Sequence, residues 1–144
     1  MQKSSKEMLV GTWVQVSLDI VSTGGARRPL YGENAKGMII YTSDSYFTLV
    51  QASVDLPKLQ SGLPSTATPE EAKAVVANSI AYFGKYSLDE TSMVLSLDIQ
   101  ASTFANLTGN PSEKRYITSL TDSQLKFTRP FMDLTLEAVF KRAE

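Results

Sequence analysis

The chain has 144 residues, of which 42% are hydrophobic and 20% charged, which is the size and composition of one folded domain. Its 14 basic and 15 acidic side chains leave a net charge of −1, which argues against a general nucleic-acid-binding protein, because such proteins carry a basic excess. The absence of Cys and His excludes disulfides, thiolate chemistry, the Ser-His-Asp triad and the usual zinc sites, so we expect no metal and no cofactor.

The N-terminal segment has only a short apolar run, at 8–10. A signal peptide needs an apolar stretch of roughly 7–15 residues, and a membrane span needs about 18. We therefore expect a soluble, cytoplasmic protein without a membrane span. We expect one domain over 1–144, with 1–8 as a flexible or loosely packed N-terminus.

The first predicted strand, 11–21, alternates between two unlike rows of side chains. The rows are Thr12, Val14, Val16, Leu18 and Ile20 on one face and Trp13, Gln15, Ser17, Asp19 and Val21 on the other. Pattern alone leaves open which row faces the interior. If the apolar row faces outward it must be covered, which predicts either a homodimer or a helix packed over it.

A Gly-rich loop follows, and residues 37–52 are typical of a hairpin. Thr68 is a predicted N-cap, with Pro69 at the first helical position and Glu71 completing a capping box, so we expect one α-helix over 69–83. Strands are predicted beyond it at 84–89, 92–101, 113–120, 124–129 and 133–142. About eight consecutive antiparallel strands favour an up-and-down barrel or a sandwich.

Several segments, taken in order, resemble the lipocalin-like domain family of bacteria and fungi. These segments are LVGTW (9–13), KGMIIYT (36–42), TPEEA (68–72), IAYFGKYSLDE (80–90), NLTGNPSEKRY (106–116) and AVFKR (138–142). The resemblance covers nearly the whole chain and implies an all-β fold, an eight-stranded antiparallel barrel with one α-helix around a small apolar cavity. It also implies that Arg142 packs over the indole of Trp13 as a cation–π clamp. It implies no single activity.

The candidate site follows from the orientation that the resemblance implies for the first strand. If Trp13 points inward, then Gln15, Ser17 and Asp19 line the cavity with it. Asp19 would replace the missing His as general base, and Arg115 or Arg129 would bind or polarise a ligand oxygen. We expect ligand contacts from Trp13, Gln15, Ser17, Tyr41, Tyr46, Tyr86, Tyr116 and Phe127.

Two functions fit these candidate residues, and a third remains as a lesser alternative. The first is a cofactor-independent cyclase or isomerase that acts on a hydrophobic small molecule of natural-product type, with Asp19, Arg115 and Arg129 as catalytic residues. The alternative is a non-catalytic binder or carrier of such a molecule in the same cavity. A barrel filled with side chains would instead indicate an interaction domain.

Overall fold

A computed structural model describes residues 3–143 of the chain. The helices are α1 (Ser5–Leu9) and α2 (Pro69–Ala77), with short 3₁₀ turns at Pro64–Thr66 and Ala105–Leu107. The strands are β1 (Gly11–Val21), β2 (Arg27–Pro29), β3 (Lys36–Tyr41), β4 (Tyr46–Ala52), β5 (Ser79–Asp89), β6 (Val94–Ser102), β7 (Lys114–Leu120), β8 (Gln124–Phe131) and β9 (Leu134–Arg142). Neither helix has the length and hydropathy required to cross a membrane.

The strands form one antiparallel sheet that closes on itself. The order is β2-β1-β3-β4-β5-β6-β7-β8-β9, and β1 also pairs with β9, which closes a barrel of eight long strands. The first half of β1 pairs with β3, and its last residues pair with the short β2 instead. The predicted eight-stranded antiparallel barrel is therefore confirmed.

A β-bulge in β1 settles the orientation that the sequence pattern left open. Gln15 pairs with Phe140 and Ser17 with Val139, so Val16 is an extra residue on the β1 side. A bulge of one residue moves every later side chain to the opposite face. The polar row therefore faces inward before the bulge, at Trp13 and Gln15, and the apolar row faces inward after it, where Leu18 and Ile20 are buried.

The predicted helix over 69–83 is correct at its start and wrong at its end. Thr68 accepts from the backbone N–H of Glu71, whose carboxylate accepts from the N–H of Thr68, as the capping box predicts. The helix stops at Ala77, and β5 begins two residues later and pairs with β4. Helical spacing of the apolar residues after 77 gave way to sheet pairing, because pairing completes the barrel and the helix buries none of its own residues.

Helix α1 and a cation–π contact seal one end of the barrel. Leu9 and Trp13 are fully buried there, and the indole N–H donates to the Leu9 carbonyl at 2.8 Å. The Arg142 guanidinium lies 3.9 Å from the centre of the Trp13 ring, which confirms the predicted clamp. It also donates to the carbonyls of Met8 and Val10. Of the segment 1–8, which was expected to be flexible or loosely packed, residues 5–8 belong to the capped helix α1, and residues 1 and 2 lie outside the described part.

Candidate functional site

The opposite end of the barrel holds a cavity of about 200 Å³. The long connections gather at this end, since β1, β4, β6 and β8 end there and β5, β7 and β9 begin there. The side chains that line the cavity come from these strand ends and connections. The apolar ones are Ile20, Leu30, Ile80, Phe104, Leu107, Phe131 and Leu136, and the polar ones are Tyr31, Gln51, Tyr82, Arg115 and Arg129.

Three charged residues, which we call the ion trio, form the polar wall: Glu113, Arg115 and Arg129. The Glu113 carboxylate accepts from Nη1 of Arg115 and, at 2.6 Å, from Nε of Arg129 through the same oxygen. Its other oxygen accepts from Nη2 of Arg129 at 3.3 Å and from the Asn110 amide at 3.1 Å. Glu113 and Arg115 are 2% and 4% exposed, whereas the Arg129 side chain is 24% exposed. The trio is thus anchored in the interior and reaches the surface only through Arg129.

The local sequence explains why the trio assembles. Glu113 and Arg115 are two residues apart, and side chains at that spacing share one face of an extended chain. Arg129 lies on β8, the neighbouring strand, one residue beyond the pair formed by Tyr116 and Thr128. The pleat therefore aims both guanidinium groups at the same carboxylate.

The electrostatics of the trio leave one positive charge without a partner within it. Burial raises the pKa of Glu113, but the hydrogen bonds and charges of Arg129 and Arg115 outweigh burial and lower its pKa to about 2. Glu113 is therefore ionised at neutral pH and, with both oxygens occupied, is not a general base. One carboxylate against two guanidinium groups gives the wall a net charge of +1.

Two tyrosines extend the polar wall. The Tyr82 hydroxyl oxygen accepts from Nη2 of Arg115 at 3.0 Å. Among residues 3–143, no hydrogen-bond acceptor is found for the Tyr82 proton, so this proton is available to a ligand oxygen. Tyr31 is 8% exposed, and burial, with Tyr82 nearby, raises its pKa.

A glutamine pair lies beside these tyrosines. Gln51 is 5% exposed, and its amide donates to Oε1 of Gln15 at 2.9 Å. Gly37 makes room for this contact, because a Cβ there would lie 2.3 Å from the Gln15 oxygen. The bond occupies an amide proton of Gln51 at the cavity wall and ties β4 to β1 across the interior.

The structure brings two of the three predicted catalytic residues together. Arg115 and Arg129 both line the cavity, and both hydrogen-bond Glu113. Gln15 reaches the cavity only through its bond to Gln51. Of the other predicted ligand contacts, Trp13, Tyr41, Tyr86 and Phe127 are buried in the packed part of the barrel. They pack against other buried side chains and do not line the cavity. Phe127 stacks on Phe140 with 5.7 Å between the ring centroids, and Tyr41 meets Tyr86 edge to face.

Asp19 and Ser17 do not line the cavity, contrary to the predicted geometry. Both follow the bulge in β1, and the bulge turns them to the outer surface. Asp19 lies there beside Arg27, with 3.3 Å between Oδ2 and Nη1, and Arg27 also pairs with Glu137 at 2.9 Å. Tyr46 and Tyr116, each 42% exposed, also lie outside, because inward and outward side chains alternate along their strands.

Glu113, Tyr82 and Tyr31 are not assigned to the site from the sequence. Glu113 is the first residue of the predicted strand 113–120, and its i, i+2 spacing places it on the same strand face as Arg115 without showing that the two side chains pair. Tyr82 was placed on the helix that in fact ends at Ala77, so its inward orientation on β5 could not be inferred. Tyr31 lies within the Gly-rich loop, where no periodicity predicts the orientation of a side chain.

A closed up-and-down barrel of eight strands belongs to the class of small β-barrels whose interior is wide enough to hold one small ligand. Comparison with known families makes this specific: the model of a lipocalin-like domain matches residues 10–141, and the chain belongs to that family. Membership indicates binding of a small hydrophobic ligand.

Other comparisons add little to this assignment. A redesigned β-barrel of known structure is similar to the chain at 18% identity and a TM-score of 0.47, with 99% of this chain and 100% of that chain covered. No curated protein matches the chain. Within residues 3–143 no group of three or more carboxylates is arranged to hold a metal ion.

Proposed function

We propose that the protein binds a small, mainly apolar molecule in the cavity at the end of the barrel opposite α1, which we call the open-end cavity. An oxygen of that molecule would accept hydrogen bonds from Arg115, Arg129 and Tyr82. One observation carries the proposal: a cavity with seven apolar side chains in its lining has all its charge on one wall. Binding sites for small molecules commonly combine an apolar lining with a few convergent polar groups. The lining would desolvate the body of the ligand, and the polar wall would orient it.

The volume limits the size of the ligand. An engineered apolar cavity of about 150 Å³ binds benzene. The cavity here, at about 200 Å³, is slightly larger. It therefore fits one aromatic ring, or an aliphatic group of similar size, with a short polar substituent.

A second candidate is a cofactor-independent cyclase or isomerase of hydrophobic small molecules, and the contact between Arg115 and Tyr82 favours it. A guanidinium and a phenol that meet at 3.0 Å in a buried wall can both donate to one carbonyl oxygen and stabilise negative charge that develops on it. The base assigned to Asp19 is not part of this mechanism, because Asp19 lies outside the barrel. Catalysis here would consist of holding one conformation and polarising one oxygen.

Isoleucine δ1-methyl NMR spectra test the binding proposal with acetophenone, a neutral ring that carries one carbonyl. Ile20 and Ile80 line the cavity, whereas Ile40 alternates with the buried Ile39 and serves as the outer control. Binding predicts saturable shifts of the cavity methyls and a static Ile40 signal. The Ile80→Trp variant, which fills the cavity, should abolish the shifts, and Val50→Trp, on the outer face of the next strand, should keep them.

The same probe separates the binder from the catalyst. If the wall polarises the ketone, base in the D₂O solution will remove a methyl proton of acetophenone faster in the presence of the protein than in buffer alone. The enolate will then take up deuterium from D₂O, and Arg115→Met will remove the difference in exchange rate. If acetophenone binds saturably but its methyl protons exchange at the buffer rate, the catalytic role is contradicted and the binding proposal stands. Cavity methyls that stay unshifted up to saturating acetophenone would contradict the binding proposal itself.

A further inference from the structure

We infer that the group seated on the polar wall is an anion, and that the ligand class is a monocarboxylate on an apolar body about the size of one aromatic ring. The inference rests on the proposed function, since it names the chemistry of the ligand for that same site. It goes further by choosing a charged oxygen over a neutral one.

The charge of the wall is the first argument. Glu113 compensates only one of the two guanidinium groups, and Arg115 is 4% exposed. Asp19 on β1 and Glu137 on β9 pair with Arg27 on the outer surface, and among the described residues none of those that line the cavity carries a carboxylate. A desolvated cation is costly unless an anion accompanies it, so a ligand carboxylate would complete a trio that is short of one negative charge.

The unused donors are the second argument. Glu113 takes Nε and Nη2 of Arg129, and within residues 3–143 no acceptor is found for Nη1 of that side chain. Arg115 uses one proton of Nη2 on Tyr82, and the Tyr82 proton is itself available. A carboxylate has two oxygens and about four acceptor positions, so it can accept hydrogen bonds from all of these groups at once, whereas a neutral ketone offers only one oxygen.

The charge of the wall argues against more highly charged anions, and the volume of the cavity argues against longer ligands. A phosphomonoester carries a charge between about −1.5 and −2 at pH 7, which exceeds the single positive charge of the wall. A carboxylate brings a charge of −1 and a planar fork that suits a guanidinium group. The remaining volume, out of about 200 Å³, accommodates a ring or a short branched chain and not a long acyl chain.

Phenylacetate and phenylacetamide provide a test, because they share a shape and differ in charge at pH 7. Their dissociation constants are measured by calorimetry, with the Ile20 and Ile80 methyl signals locating the bound probe. The inference predicts that the acid binds at least ten-fold more tightly than the amide. Arg129→Met should raise the dissociation constant of phenylacetate about ten-fold and change that of phenylacetamide less than three-fold. Arg27→Met removes an equal charge from the outer surface and should change neither.

The possible results separate the anion inference from the proposed function on which it rests. Equal affinities of acid and amide would overturn the anion inference and leave the proposed function standing, and so would equal losses of acid binding in Arg27→Met and Arg129→Met. Failure of both probes to shift the cavity methyls would overturn the inference together with the proposed function. The comparison of acid and amide in the unmodified protein needs no variant, so it holds even if Arg129→Met does not fold.

Discussion

Replacement of Glu113 by Gln removes the only anion of the ion trio and keeps the size of the side chain. Arg115, 4% exposed, then loses its charged partner while it remains buried. Breaking a buried ion pair from one side costs about 3–5 kcal/mol. The folded-state pKa gives a similar value, because a fall from 4.5 to about 2 corresponds to roughly 3 kcal/mol at neutral pH. We therefore expect Glu113→Gln to lower the free energy of unfolding by about 3 kcal/mol at pH 7.

The pH dependence of this loss has a definite sign. The folded pKa of Glu113 lies below the unfolded value, so its contribution is complete above about pH 4.5 and disappears as the pH falls toward 2. The difference between the two proteins should therefore shrink over that range. Urea unfolding, followed through the fluorescence of the single tryptophan, measures it.

Glu137→Gln is the matched control for this experiment. Glu137 pairs with Arg27, but their side chains are 34% and 51% exposed, so its removal should cost less than about 1 kcal/mol. If Glu113→Gln lowers the free energy of unfolding no more than Glu137→Gln does, the predicted role of Glu113 as the buried counter-ion of Arg115 is wrong. A loss that stays constant from pH 7 to pH 2.5 would refute it as well.

Three further predictions concern other residues of the barrel. Arg142→Ala should cost about 3 kcal/mol and shift the tryptophan emission, because it removes the cation over the indole and three bonds to backbone carbonyls; an unchanged urea midpoint would contradict the clamp. Gly84→Ala should cost at least about 2 kcal/mol, since its Cβ would lie 1.9 Å from the Asp98 carbonyl, whereas Gly24→Ala meets open space and should be neutral; similar midpoints for both would contradict the close approach. Tyr82→Phe should lower the affinity for acetophenone, measured by calorimetry, about ten-fold, since it removes a hydrogen-bond donor from the polar wall. An unchanged affinity would mean that the ketone oxygen does not lie on Tyr82.

The barrel itself was predictable because its signals are local and repeated. Alternation along the strands and turn residues between them indicate antiparallel strands, and the resemblance of the segments from LVGTW to AVFKR to lipocalin-like domains favours a barrel over a sandwich. The contact between Trp13 and Arg142 was predictable from that resemblance and not from the residue pattern. The end of α2 was not, because residues 79–83 are compatible with a helix by spacing and become a strand only through pairing with β4.

The site was only half predictable, and the β1 bulge is the main reason. A single unpaired residue at Val16 reverses the orientation of everything after it, and no feature of an alternating segment marks where such a residue falls. Asp19 was therefore assigned to the interior with Trp13, although it lies outside. Arg115 and Arg129 were found because an Arg on an apolar strand face needs a partner, but identifying Glu113 as that partner required the three-dimensional structure.

A crystal structure of the protein grown with phenylacetate tests directly whether the open-end cavity is the binding site. We expect electron density for the ring among the apolar side chains of the open-end cavity, with the carboxylate within hydrogen-bond distance of Arg129 and Tyr82. Density for the acid only on the outer surface, or an open-end cavity filled by side chains at saturating phenylacetate, would contradict it.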